Sequence, residues 1–227
     1  MIRAVVFDFD GVIANSEPLH FAAFRDVLDQ QGVELAKNDY YDRYLGYDDV
    51  GVFRAVSGDR RLNWSDDRVA VLVRRKASRL EELERHVSVL FPGAEAAVQR
   101  LAQSLPLAIA SGALRAEIVR VLEQAGMSQY FVAVVAAEDS PVSKPAPDPY
   151  LRAVELVAGA MGQSLKPAEC VAIEDSQWGL ESARAAGLHT VAVTHTYPAD
   201  HLEQADSVIA SLDELDAAYL RRIVGRE

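Results

Sequence analysis

The sequence predicts an α/β fold: a doubly wound parallel sheet with a helical subdomain inserted behind its first strand. Three observations lead there. Short apolar runs rich in β-branched residues recur along the chain. From about residue 90 onward, helical patterns separate those runs, which is the alternation of a parallel sheet. Behind the first run, however, residues 16–87 carry only helical patterns. That stretch is too long for a loop inside a compact domain.

Residues 2–7 form the first run, as expected of a strand buried on both faces. Leu19, Phe21, Phe24, Val27 and Leu28 then make one helical stripe, with Gly32 as its stop. Ser65-Asp66-Asp67 opens a long helix carrying Val69, Leu72, Val73, Leu80 and Leu83, its acids placed at the positive end of the helix dipole. Further strands are expected at 107–110, 131–136, 171–173 and 190–193. Between them, Ile118, Val119, Leu122 and Ala125 share a helical face that ends at Gly126. Asp148-Pro149 opens another helix as cap and first residue, continuing through Leu151, Val154 and Val157. Residues 176–186 make a third, ended by Gly187. Two domains follow: a core of residues 1–15 with 88–227, and a helical insertion over 16–87. A flat helical layer on the sheet is the other reading. A separate subdomain over the carboxyl ends of the strands is favoured, because open α/β sheets bind ligands there.

Composition narrows the function. The 227 residues carry a net charge of −11, so nucleic acid and anionic membranes are repelled on average. The apolar runs fall short of the roughly 20 residues of a membrane span. Arg3 and Asp8 interrupt the N-terminal run too early for a secretory leader, so a cytoplasmic protein is expected. The single cysteine, Cys170, has no internal disulfide partner and reads as a small core residue. Nothing in the sequence sets an oligomeric state. A small anionic ligand remains compatible wherever positive charge is gathered locally.

Polar groups cluster where the expected strands end. Asp8 and Asp10 flank Phe9 at the end of the first strand, followed by Gly11. They are either turn formers or carboxylates whose mutual repulsion calls for a proton or a divalent cation with oxygen ligands. Ser111-Gly112 follows the second strand and offers a hydroxyl and free N–H groups to a phosphate, or simply caps a helix. Lys144 lies in a proline-stiffened segment, Ser143-Lys144-Pro145-Ala146-Pro147, after the third strand. Only four of the 23 basic side chains are lysines, and a compact ammonium suits a phosphate or carboxylate. Glu174-Asp175-Ser176 ends the fourth strand with a second acidic pair, which N-capping alone would also explain. Capping does not readily account for all four exits together.

In this order the stretches Asp8-Phe9-Asp10-Gly11-Val12-Ile13, Ser16-Glu17-Pro18-Leu19-His20, Ser111-Gly112, Ser143-Lys144-Pro145-Ala146-Pro147-Asp148 and Glu174-Asp175-Ser176 resemble the haloacid dehalogenase-like (HAD) superfamily. The branch is that of phosphatases and β-phosphoglucomutase-like enzymes. The resemblance spans the whole core and implies a HAD-like core, a helical cap and two-step phosphoryl transfer. It makes Asp8 the nucleophile that forms an aspartyl-phosphate and Asp10 the general acid and base. Ser111, Gly112 and Lys144 would hold the phosphoryl oxygens. Asp175, Glu174, the Asp8 carboxylate and the Asp10 backbone carbonyl would bind Mg²⁺.

His20 would be either a substrate-side residue of the cap or an ordinary, partly buried histidine. Tyr44-Leu45-Gly46-Tyr47-Asp48-Asp49 takes the position of the specificity loop by resemblance, which makes Gly46 a substrate-binding candidate. That loop lacks the basic residue the mutase pattern carries after its glycine, and Ser111-Gly112-Ala113-Leu114-Arg115 lacks the mutase's small-polar run. His86, His189, His195 and His201 show no ligand spacing and read as structural, and Trp178 as packing. The expected function is a magnesium-dependent phosphatase acting on a small phosphorylated metabolite, a sugar or organic-acid phosphate. A β-phosphoglucomutase-like phosphomutase is the alternative, and a non-catalytic phosphometabolite-binding protein is the alternative of another class. A dehalogenase fits the second acid Asp10 and the Glu174-Asp175 pair less well.

Overall fold

The computed structural model describes residues 1–45, 47–85 and 89–224. Among these residues the chain forms six strands and nine α-helices in two compact units. One unit joins Met1–Asn15 to Val89–Glu227, and the other is Ser16–Ser88.

The first strand, β1 (Ala4–Phe7), is wholly buried. The helical unit follows with α1 (Glu17–Asp29), α2 (Lys37–Arg43), α3 (Asp49–Asp59) and α4 (Asp66–Glu84). Phe24, Val27 and Leu28 of the expected stripe are buried against Phe53, Val56 and Leu72. Burial of each such side chain contributes roughly 1.5–3 kcal/mol. Ser65 caps α4 as expected, its Oγ accepting the Arg68 N–H at 3.2 Å. The buried face of α4 is Val69, Leu72, Lys76 and Leu80, so a lysine occupies a position of the apolar stripe. No separate signal marked α2, of which only Tyr40 is buried, or α3, which carries Gly51 and Gly58.

The other unit continues with α5 (Ala94–Ala102), β2 (Leu107–Ala110), α6 (Arg115–Gln124), β3 (Phe131–Val135), α7 (Asp148–Met161), β4 (Cys170–Glu174), α8 (Gln177–Ala185), β5 (His189–Val193), β6 (Ser207–Ile209) and α9 (Ala217–Val224). All strand pairs are parallel, in the order β3-β2-β1-β4-β5-β6. The α/β class and the doubly wound parallel sheet are therefore as the sequence predicts. Phe7 lies opposite Ile109 on one side and Ile173 on the other. Small residues of the sheet, Ala4, Ala108, Ala110 and Ala172, let α7 lay Tyr150, Ala153 and Val157 close against it. The strand β6 was not expected, because three residues with a serine among them make no apolar run. Helix α7 begins one residue earlier than its sequence signal: Asp148 is already helical, Pro147 occupies the cap position, and no side chain caps the end. Strand order reverses between β1 and β4, and the carboxyl ends of strands at such a point form a ligand crevice. No described helix is long and apolar enough to cross a membrane.

Candidate active site

Asp8 leaves β1 at that crevice, its N–H donating to the Ile173 carbonyl at 2.9 Å. The chain then turns back at once: the Gly11 N–H reaches the Ala14 carbonyl at 2.8 Å, and the Ile13 N–H reaches the Phe9 carbonyl at 2.8 Å. Gly11 sits at φ +81°, where side chains are strained. A Cβ there would fall 1.9 Å from Oδ2 of Asp175, so the turn presses directly on the acid at the end of β4.

Lys144 joins the two acidic strand ends. Its Nζ donates to Oδ1 of Asp8 at 2.7 Å and to Oε1 of Glu174 at 2.6 Å. Glu174 is completely buried and takes two more groups of donors. The Tyr150 hydroxyl donates to Oε1 at 2.6 Å, while the Asp175 N–H and the Ser176 hydroxyl each reach Oε2 at 3.2 Å. A Cβ on Gly179 would lie 2.0 Å from this carboxylate, so the first turn of α8 also needs a glycine there. Thr196 donates its hydroxyl to Asp175, and the charge of Asp10 reaches Asp175 as well. Ser111, at the end of β2, is buried, and its Oγ accepts the Ala113 N–H at 3.0 Å. With Gly112, Ser143 and Lys144 it lines a cavity of about 200 Å³.

Charge sets the chemistry of this cluster. Burial is the largest influence on Asp8 and pushes its pKa well above the carboxylate range; Glu174 and Asp175 reinforce that, and Lys144 opposes it. Burial and then Glu174 raise Asp175 to about 7. Burial opposes the charge on Lys144, but Asp8 and Glu174 outweigh it and hold its pKa above the ordinary lysine value. One ammonium thus faces three buried carboxylates whose oxygens lie within 4.8 Å of one another. Hard oxygen donors carrying excess negative charge fit a divalent ion such as Mg²⁺. The Asp10 side chain is outside that trio.

A stability measurement tests the fit without any turnover. In the unfolded chain Asp175 ionises at the ordinary value of 3.8, whereas in the folded protein burial and the Glu174 charge push its pKa up to about 7. The folded state binds more protons between those values, so its stability falls as pH rises through that window. A divalent ion held by these acids would offset the penalty where the carboxylates are charged. The rise in Tm on adding Mg²⁺ to chelator-treated protein is therefore expected to be larger at about pH 8 than at about pH 5.5. An equal or smaller rise at the higher pH contradicts this reading of the acids.

His20 belongs to α1 of the helical unit. Its Nδ1 lies 2.9 Å from Nζ of Lys76, which also reaches Oδ1 of Asp49 at 2.7 Å. An ammonium only donates, so Nδ1 accepts and the ring hydrogen is on Nε2. Lys76 is buried and was not singled out from the sequence, although a lysine in the stripe Val69, Leu72, Leu80 was the available signal. Gly46 lies outside the described residues. Tyr150 and Thr196 were also missed. Trp178, expected to be packing, is 55% exposed, with its ring edge-on to Tyr197.

The fold and these strand ends define a class, the α/β proteins with a buried acidic centre at the carboxyl ends of a parallel sheet. The family model for haloacid dehalogenase-like hydrolases matches residues 2–187. The chain is 35% identical over 223 residues to protein CbbY of Rhodobacter capsulatus, covering 93% of this chain and 94% of the relative. It is 31% identical over 191 residues to the fructose-1-phosphate phosphatase YqaB of Escherichia coli K12, covering 83% and 95%. Among solved structures, CbbY of Rhodobacter sphaeroides in complex with phosphate superposes with a TM-score of 0.81 at 24% identity, covering 97% of this chain and all of that one. The chain belongs to the haloacid dehalogenase-like hydrolases, an enzyme family, and its relatives include proteins named as phosphatases.

Proposed function

We propose that this enzyme is a magnesium-dependent phosphatase that hydrolyses a small phosphorylated metabolite, a sugar or organic-acid phosphate, through an aspartyl-phosphate on Asp8. The carrying observation is the Asp8 carboxylate at the end of β1, one oxygen held 2.7 Å from Lys144, beside the acids that end β4. In this reading Asp8 attacks the phosphorus and splits one hard hydrolysis into two easier steps. Lys144 and the Ser111 hydroxyl hold phosphoryl oxygens, with backbone N–H groups at Gly112. Asp10 gives a proton to the leaving alkoxide and then takes one from the water that attacks the intermediate. Asp8, Glu174, Asp175 and the Asp10 backbone carbonyl would hold Mg²⁺, which when bound supplies positive charge against the repulsion between Asp8 and the phosphate. The helical unit is read as the substrate-selecting cap.

Two features favour a phosphatase over a phosphomutase. Leu114, in the segment where the mutase carries its polar run, is half exposed and apolar. Arg115 beside it is engaged by Asp139 and by the Val134 carbonyl. The relative named for fructose 1-phosphate supports a sugar phosphate as substrate.

Phosphate release over a panel of sugar and carboxylate phosphates, with and without Mg²⁺, tests the proposal. Asp175→Ala removes one ligand and leaves Asp8 less shielded. At saturating substrate it is expected to need at least about tenfold more Mg²⁺ for half-maximal rate, in line with the loss of a metal-site group. An unchanged Mg²⁺ requirement rejects Asp175 as a ligand.

A further inference from the structure

His195 lies just past the end of β5 and takes no part in the phosphoryl-transfer set. Its ring stacks on Phe91, with centroids 3.9 Å apart and planes inclined by 16°. Its Nδ1 lies 3.0 Å from the carbonyl oxygen of Gly11. A carbonyl only accepts, so Nδ1 carries the hydrogen and donates it. Burial lowers the pKa of the ring and so favours its neutral form, outweighing the opposing effect of the Gly11 carbonyl.

Gly11 immediately follows Asp10. It must be glycine, because any Cβ would overlap Asp175. Glycine is also the residue least able to hold its own conformation. The turn that aims Asp10 therefore needs restraint from outside. Phe91 is itself tied to that turn, its N–H donating to the Ile13 carbonyl at 2.9 Å. The contacts Gly11–His195, His195–Phe91 and Phe91–Ile13 close a ring around the turn, all within the sheet-containing unit.

We propose that His195 is a positioning residue for Asp10: its Nδ1–H fixes the Gly11 peptide, and its ring fixes the donor against Phe91. The proposal rests on the reading of Asp10 as general acid and base. It assigns to His195 an effect on proton transfer, separate from attack by Asp8.

Two variants separate the donor from the ring. His195→Phe keeps the stack and loses the donor. His195→Asn places Nδ2 where Nδ1 stood, keeps the donor and loses the stack. The readouts are steady-state turnover of the sugar phosphate hydrolysed fastest in the panel, and the pre-steady-state nitrophenol burst from 4-nitrophenyl phosphate. His195→Phe is expected to lower sugar-phosphate kcat by about tenfold or more, a part of the roughly 10²–10⁴ that general acid–base help supplies. The burst rate stays within about twofold, because nitrophenolate needs little protonation to leave. His195→Asn recovers most of the loss. The proposal is overturned if His195→Phe slows burst and steady state equally, if it slows neither, or if His195→Asn is no better. Should His195→Phe not fold, His195→Leu against His195→Asn carries the same contrast. Asp10→Asn in parallel distinguishes the two levels. If it spares sugar-phosphate turnover, the acid–base reading itself fails; if it shows the selective loss and His195→Phe does not, only the assignment of His195 falls.

Discussion

Asp8→Asn is expected to abolish turnover of every phosphate ester, whereas Asp10→Asn is expected to spare the first half of the reaction for a good leaving group. An amide at position 8 is no nucleophile at phosphorus, so no covalent intermediate forms. Asp10 acts twice: it protonates a departing alkoxide and later deprotonates water. A sugar alkoxide leaves poorly without that proton, and nitrophenolate leaves well. Asp10→Asn should therefore lower sugar-phosphate turnover by about 10²–10⁴-fold. With 4-nitrophenyl phosphate and Mg²⁺ it should release about one nitrophenol per active site in a burst, then turn over slowly as the intermediate waits for a base. Quenched-flow measurement of burst amplitude decides the matter. An equal burst from Asp8→Asn removes Asp8 as nucleophile, and full steady-state activity of Asp10→Asn on the sugar phosphate removes the acid–base role.

The second large effect is on stability. Lys144 is the cation between buried Asp8 and fully buried Glu174. Lys144→Met keeps the apolar stem and deletes the charge. Breaking a buried pair from one side costs about 3–5 kcal/mol, against at most about 1 for an exposed lysine. The loss must depend on pH. Asp8 already has a raised pKa from burial, and without its cation it holds a proton still more readily. Protonation relieves the buried charge at low pH, so the variant should lose more stability at about pH 8 than at about pH 5.5. Denaturant unfolding at the two values measures this. A loss that is equal at both, or below about 1 kcal/mol, contradicts the electrostatic account of the cluster.

Much of the sheet was legible because buried parallel strands read as apolar runs. Residues 107–110 coincide with β2, and the other four expected strands differ from those observed by one or two residues at an end. β6 escaped because Ser207-Val208-Ile209 is too short to form a pattern. Asp8, Lys144, Glu174 and Asp175 could be found because each ends or follows a strand, and strand ends of a parallel sheet converge. The same logic brought in Ser111. Tyr150 carried no such marker, and His195 and Thr196, although they follow β5, were not picked out, His195 because it shows no ligand spacing. Tyr150 looks like any aromatic on a helix face, and its bond to Glu174 exists only once α7 is laid on the sheet. His195 meets Gly11 across 184 residues, a relation that local periodicity does not encode. Lys76 was hidden differently: an apolar stripe was visible, and the lysine inside it was not singled out.

The discontinuity of the sheet-containing unit has a consequence for how the enzyme is made. The middle strand of the sheet is the first to leave the ribosome, yet its two neighbours, paired through Ile109 and Ile173, follow more than a hundred residues later. Contacts so distant in sequence close slowly, because chain entropy must be surrendered before any pairing is gained. The helical unit, by contrast, is one uninterrupted segment. During synthesis it is complete while β1 still waits, an apolar strand with both edges open and therefore the aggregation hazard of the nascent chain. The buried charges of Asp8, Lys144 and Glu174 come together only when β4 has emerged, so the apparatus for chemistry is assembled late in synthesis.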